Sequence, residues 1–224
     1  MTYHAVLFDM DGTLLNTLED IAEAANRVLR TKGFPVYSIG EYRFFVGEGA
    51  RKLIERILPI ERSNQDLIDA CLRQFLSEYE SSWHNRTQLY PGIADMLTAL
   101  EDRSISKSIL SNKPDVFTRK CADYYLSEWR FTQVVGNSET IPRKPDPEGA
   151  LFIADKIGVK PGQCLFVGDS KIDMETATRA GMFPVGVLWG FRPRDELAAH
   201  GAKRFLEHPL DLLDLLDSSG SDLS

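Results

Sequence analysis

Asp9 and Asp11 stand one residue apart at the end of an apolar run, YHAVLFDMDGTLLNT, residues 3–17. In extended chain, residues i and i+2 point to the same side, so the two carboxylates face one space. Like charges that close repel, and burial penalises each, so something cationic must compensate them. Gly12 lets the backbone turn and lets a ligand come close. A third carboxylate, Asp169, ends the run QCLFVGD (163–169), and Asp173 stands just beyond it. Convergent carboxylates of this kind suit a hard divalent cation with oxygen ligands. Mg2+ fits, because it takes few protein ligands and keeps waters or substrate oxygens.

Polar residues recur at comparable places along the chain. Ser111 and Asn112 end ISKSILSN (105–112), Lys113 follows, and Lys144 lies in RKPDP (143–147). A metal, an ammonium and hydrogen-bond donors converging on one point make a phosphoryl site. A carboxylate beside a bound phosphoryl group can attack phosphorus and form an acyl phosphate. A second can protonate the leaving oxygen, then deprotonate the water that hydrolyses the intermediate. Each feature taken alone has a plainer reading. Asp9 and Asp11 read as a turn and a cap, and Ser111-Asn112 as a turn or helix cap before Pro114. Asp169 and Asp173 read as partners of the positive end of a helix starting near residue 171. Among Lys113, Lys144 and Lys171, the placement of Lys144 is fixed best. Asp146 after it can cap a helix, and Pro147 suits the first helical position.

These residues need elements to carry them. Residues 3–9 read as a buried strand. Ile21, Ala24, Ala25, Val28 and Leu29 then fall at helical spacing, with Asn16 or Thr17 to cap the start and Gly33 and Pro35 to end it. Two more helices are expected, at 49–57 and 65–83, with no strand between residues 16 and 88. From residue 88 the pattern alternates. Strands are expected at 105–112, 133–135, 163–169 and 184–189. Helices are expected at 93–100, 114–126, 147–157 and 172–180, with closing helices at 193–199 and 210–216. Alternation of this kind means βαβ units and a parallel sheet covered on both faces. The expected fold is therefore α/β, a doubly wound parallel sheet with an inserted helical block. Residues 1–15 and 88–217 would form the core, 16–87 the block, and 218–224 a disordered tail. In an open parallel sheet, ligands bind beyond the carboxyl ends of the strands, where all the singled-out residues fall. A helical block above that edge would act as a lid.

Composition narrows the function classes. With 43% hydrophobic and 26% charged residues over 224 positions, the chain is an ordinary globular protein. A formal net charge of −7 argues against nucleic acid as partner, though a small phosphorylated substrate feels the local field instead. No apolar run reaches membrane-spanning length, and no secretory signal is visible. Cys71, Cys121 and Cys164 sit among apolar neighbours without metal spacing, as core residues in a reducing compartment. The cytoplasm is the expected location.

DMDGTL, SN, KPDP and GDSKID resemble, in order, the four motifs of the haloacid dehalogenase-like phosphohydrolases, and the likeness spans the whole chain. The resemblance implies a Rossmann-like core with an inserted helical cap. It implies Asp9 as nucleophile and Asp11 as general acid and base, with Ser111, Asn112 and Lys144 holding the phosphoryl group. Mg2+ would be bound by Asp9, the main-chain carbonyl of Asp11 and Asp169, with Asp173 supporting. The dehalogenases of the superfamily lack the second aspartate of the first motif, so Asp11 favours phosphate chemistry. Asn16 departs from the acidic residue many members carry there, which loosens only the sub-family assignment. FFVGEGARKL (44–53) resembles the cap segment of phosphoglycolate phosphatases, where a glycine loop closes over the site. It lacks the pattern of a nucleotide-binding P-loop. Arg43, Glu48, Arg51 and Lys52 are candidates there for substrate selection, against a solvated charged helix face. The expected activity is Mg2+-dependent hydrolysis of a small phosphorylated metabolite, phosphoglycolate first. A pyrophosphatase, a sugar-phosphate mutase or a phosphonate hydrolase on the same fold are alternatives. A non-catalytic signalling domain phosphorylated on aspartate is another, which turnover would exclude.

Overall fold

A computed structural model describes residues 2–217, and residues 218–224, expected as a disordered tail, lie outside them. The chain opens with β1 (Ala5–Phe8), followed by a two-residue strand, β2 (Leu15–Asn16). Four helices come next: α1 (Leu18–Thr31), α2 (Ile39–Phe45), α3 (Ala50–Ile57) and α4 (Gln65–Glu80). The chain returns through β3 (Gln88–Leu89) and α5 (Ile93–Asp102) to β4 (Ser106–Pro114), then α6 (Asp115–Tyr125) and β5 (Gln133–Asn137). It finishes with α7 (Glu148–Ile157), β6 (Cys164–Gly168), α8 (Lys171–Ala180), β7 (Phe183–Val187), α9 (Arg194–Ala199), β8 (Arg204–Leu206) and α10 (Leu212–Asp217).

Six strands form one parallel sheet in the order β5-β4-β1-β6-β7-β8. β1 lies inside the sheet, between β4 and β6, and all four of its residues are buried. Its alternate residues supply two cores. Val6 and Phe8 join Ile109, Leu165, Val167 and the α5 residues Ile93, Met96, Leu97 and Leu100. Ala5 and Leu7 face the other way, onto Leu110, Phe166, Ala150 and Ile153 of α7, and Ala177 of α8. The chain leaves β1 toward β4 and β5, then crosses back to β6 on the other side. The carboxyl end of β1 is thus a topological switch point, where ligands bind in such sheets.

Helices α1 to α4 bury an apolar cluster of their own, including Ile21, Val28, Leu29, Tyr42, Ile54, Ile57, Cys71, Phe75 and Tyr79. Phe117 of α6 and Phe191, beyond β7, are the sheet-side members of that cluster. Both connections to the sheet run through the antiparallel ribbon of β2 and β3, where Asn16 pairs with Gln88. The buried carboxylate of Asp20, on α1, braces the return. It accepts from Arg86 N at 3.0 and 3.1 Å, Thr87 N at 2.9 Å and Thr87 Oγ1 at 2.7 Å.

Several elements depart from the sequence reading. α2 was not expected, because it is only seven residues long and contains Gly40. A capping box starts it: Glu41 Oε2 accepts from Ser38 N and Oγ at 2.8 and 2.7 Å. β2, β3 and β8 are too short for periodicity to register. α4 stops at Glu80 rather than Trp83. No described helix is long and apolar enough to cross a membrane.

Candidate active site

Asp9 directly follows β1, and Asp169 directly follows β6, its hydrogen-bonded neighbour. Asp173 lies in the first turn of α8, where Ser170 N and Oγ donate to its Oδ2 at 3.1 and 2.6 Å. One oxygen each of Asp9, Asp169 and Asp173 lie within 4.8 Å of one another, and all three residues are buried. Lys144 reaches in from the loop after β5. Its Nζ lies 2.8 Å from Asp9 Oδ1 and 2.6 Å from Asp173 Oδ1. The sequence reading preferred this lysine, and the geometry puts it against the nucleophile candidate.

Three carboxylates thus face one ammonium. Burial pushes the Asp9 carboxyl up to about 7; Lys144 pulls against this, while Asp173 and Asp11 add to it. Burial also holds Asp169 well above the usual carboxylate range, reinforced by Asp173 and Asp9. For Lys144, burial favours the neutral form, but Asp173 and Asp9 outweigh it and hold the amine above its ordinary value. A divalent cation with oxygen ligands fits this donor set, because it would offset the burial penalty and the mutual repulsion that raise both carboxyls.

The backbone around Asp169 is built for close approach. Gly12 has φ +88°, and a Cβ there would stand 2.2 Å from Asp169 Oδ2. A Cβ on Gly190 would meet Asp169 Cβ at 2.3 Å and the Gly12 carbonyl oxygen at 2.5 Å. Phe191 N donates to Asp169 Oδ2 at 2.7 Å. The sequence reading missed this WGF segment (189–191). Its one signal is a glycine after the apolar run PVGVLW.

Asp11 turns to a different partner. Lys113 Nζ donates to its two carboxylate oxygens at 2.9 and 3.3 Å and to the Tyr79 hydroxyl at 2.8 Å. Burial works against the charge on Lys113, yet Asp11 and then Tyr79 hold its pKa well above the lysine value. Tyr79 comes from α4, stacks on Phe75 at 5.7 Å between ring centroids, and meets Phe117 edge-on at 5.1 Å. Ser111 lies two residues before Lys113 on β4, and its Oγ accepts from Lys113 N at 3.3 Å. That spacing was the available signal for Lys113; nothing in the sequence ties Tyr79 to it.

Asn112 has a different task from the one expected of it. Its amide donates to Lys144 O at 3.0 Å and Gly47 O at 3.1 Å and accepts from Lys144 N at 2.8 Å. The side chain therefore holds the Lys144 loop and the glycine segment, leaving no amide group for a phosphoryl oxygen. The charged candidates of the helical block are likewise engaged elsewhere. Arg43 donates to Gly190 O at 2.7 Å. Glu48 pairs with Arg56. Arg51 bonds Asp69 at 2.6 Å, and Lys52 bonds Glu55 at 2.9 Å, both on the block itself. The structure brings none of these four side chains to the Asp9 cavity.

That cavity lies between the sheet edge and the helices. Asp9, Asp11, Ser111, Asn112 and Lys113 form its floor. Gly47, Gly49 and Ala50 stand at one side, and Ile21, Val46, Leu53, Phe75, Leu76 and Phe117 make an apolar wall. Lys113 is the one basic residue lining it among the described residues.

Residues 6–187 match the family model described as haloacid dehalogenase-like hydrolase. A phosphoglycolate phosphatase of Pseudomonas putida KT2440 is 36% identical over 197 residues, 85% of this chain and 72% of that protein. One from Xanthomonas campestris pv. campestris strain 8004 is 33% identical over 192 residues, 86% of each chain. Among solved structures, a provisionally named phosphoglycolate phosphatase from Lactobacillus delbrueckii subsp. bulgaricus aligns with TM-score 0.90 and 26% identity. That alignment covers 96% of this chain and 99% of the other.

Proposed function

The chain belongs to the haloacid dehalogenase-like hydrolases, and from that premise we propose a Mg2+-dependent phosphomonoesterase that works through a phosphoaspartate. The observation that carries the proposal is the convergence of Asp9, Asp169, Asp173 and Lys144 at the switch point of the sheet, with Asp11 one side chain away. Asp9, the Asp11 main-chain carbonyl and Asp169 would hold Mg2+, with Asp173 supporting. The metal would supply charge neutralisation at the phosphoryl oxygens. Lys144 and Ser111 bind those oxygens, and Asn112 keeps Lys144 in place.

A carboxylate oxygen of Asp9 attacks phosphorus as the P–O bond to the leaving group breaks. To act as the acid, Asp11 must release one oxygen from Lys113 and carry a proton there, which it delivers to the departing oxygen as that oxygen takes the bonding electron pair. Asp11 then accepts a proton from the water that attacks the phosphoaspartate, which frees Asp9 and inorganic phosphate. Residues 16–87 act as a cap over this chemistry, excluding water from the cavity.

The substrate is a small phosphorylated metabolite, with phosphoglycolate first. The names of the relatives support it, as does the compact cavity. The first turn of α3 has no side-chain cap, and Gly49 and Ala50 line the cavity, so main-chain N–H groups there are suited to a substrate carboxylate. The test is a panel of phosphorylated metabolites assayed with Mg2+ and ranked by kcat/KM. The expected result is release of inorganic phosphate, with phosphoglycolate near the top and activity lost on chelation. An isomerised sugar phosphate would make the protein a mutase, and turnover of pyrophosphate alone would make it a pyrophosphatase.

A further inference from the structure

Gly190 and Phe191 share one peptide unit, and both of its polar ends are in use. Its carbonyl oxygen accepts from Arg43 Nη2 at 2.7 Å, and its N–H donates to Asp169 Oδ2 at 2.7 Å. A trans peptide is planar, so its C=O and N–H point in opposite directions. A guanidinium on one side and a carboxylate on the other therefore fix its orientation from both ends. The two partners come from different parts of the chain. Arg43 lies on α2 of the inserted block, and Asp169 directly follows β6 of the sheet.

This peptide needs holding. Only a glycine fits at 190, because a Cβ there would meet Asp169 Cβ at 2.3 Å, and a glycine leaves the peptide beside it free to rotate. Turned over, the unit would set its carbonyl oxygen against the Asp169 carboxylate, acceptor against acceptor. Arg43 opposes that rotation, and its charge polarises the unit so that the N–H becomes a stronger donor. The residue before is tied down as well: Trp189 Nε1 donates to Thr13 O at 2.9 Å, on the turn after Asp11. A carboxylate that is already oriented by such a partner binds a metal more tightly than one left to turn.

We propose that Arg43 is a positioning residue for Asp169, acting through the Gly190–Phe191 peptide, and that it thereby sets the affinity for Mg2+ rather than the choice of substrate. The inference rests on Asp169 being a metal ligand, as the proposed function has it. Arg43 is exposed, so solvent screens part of its charge and the effect is a moderate one.

The test reads metal affinity without turnover. Mg2+ is titrated into the full chain after EDTA treatment and dialysis, and its dissociation constant is taken from the rise in melting temperature. Arg43→Met keeps the apolar stem and removes the guanidinium. It is expected to raise that constant by about tenfold. Arg43→Lys restores a charged donor, and the carbonyl takes a single hydrogen bond from Arg43, so this variant should stay within about threefold of wild type. At saturating Mg2+, KM of Arg43→Met for the best substrate of the panel should change by less than about threefold. The Phe191 amide proton, followed by heteronuclear NMR in EDTA, should move upfield in Arg43→Met as its peptide loses polarisation. An unchanged Mg2+ constant or an unmoved Phe191 amide overturns the proposal. So does a loss as large in Arg43→Lys as in Arg43→Met, or a change in KM at saturating Mg2+ that exceeds the change in the Mg2+ constant. If Arg43→Met does not fold, Arg43→Gln, which is uncharged, is read by the same criteria. Asp169→Asn tests the premise separately. Wild-type Mg2+ affinity in that variant would remove Asp169 from the metal site, whatever Arg43 does.

Discussion

On the proposed mechanism the Asp9 carboxylate must be ionised to react, yet it sits where burial favours its protonated form. Replacing it with Asn removes the attacking oxygen while keeping the shape. Asp9→Asn is expected to lose more than about a thousandfold in turnover, measured by phosphate release. Its melting temperature without metal should not fall, because an amide there removes the cost of burying a charge. The pH dependence follows from the same shift. With a native pKa of about 7 against an ordinary 3.8, native Asp9 binds its proton more tightly than in the unfolded chain. Its contribution to stability is full at pH values below the ordinary pKa and is lost as pH rises through about 7. Asp169 is shifted in the same direction. Thermal melts in EDTA should therefore show stability falling from about pH 5 to about pH 8 on this account, and added Mg2+ should raise the melting temperature more at the higher pH. The carboxylates and Lys144 were legible in the sequence because each ends or follows a recognisable strand. Tyr79 was not, because its contact with Lys113 joins residues 34 positions apart in the chain.

At the level of elements, the ribbon of β2 and β3 carries both connections between the block and the sheet, and Asp20 braces one of them. Asp20→Ala would leave the main-chain N–H groups of Arg86 and Thr87 without their acceptor. The expected cost is about 2–4 kcal/mol, read from urea unfolding at constant m-value. The long periodic helices and the apolar strands were readable because burial on one or two faces stamps a period on the sequence. α2 escaped because Gly40 interrupts a short helix, although the Ser38–Glu41 capping box was there to be seen. β8 escaped because three residues at a sheet edge show no alternation that differs from chance.

For the molecule as a whole, the proposed reading places selectivity in the cavity between the sheet edge and the helical block. Its wall is apolar, and Leu76 is a half-buried part of it. Leu76→Ala should open room for a longer leaving group. The ratio of kcat/KM for a four-carbon phosphomonoester to that for phosphoglycolate is expected to rise by about tenfold. The doubly wound architecture could be deduced from alternating strands and helices. Which side chains of the block face the sheet could not, since amphipathic spacing gives a buried face without naming what buries it. Arg51 and Lys52 illustrate this: their charge suggested a ligand, but acidic neighbours on the block answer it.

The pairing of Asn16 with Gln88 has a consequence for how such a chain is assembled. Paired residues of an antiparallel ribbon stand about 5 Å apart, a gap that a two-residue Asn-Gly turn closes. On that geometry the polypeptide between them is expected to be exchangeable as a cassette without moving either end of the remaining sheet. Phe117 and Phe191, which join the block's apolar cluster, would be the surfaces such an exchange lays bare and that any replacement module must cover.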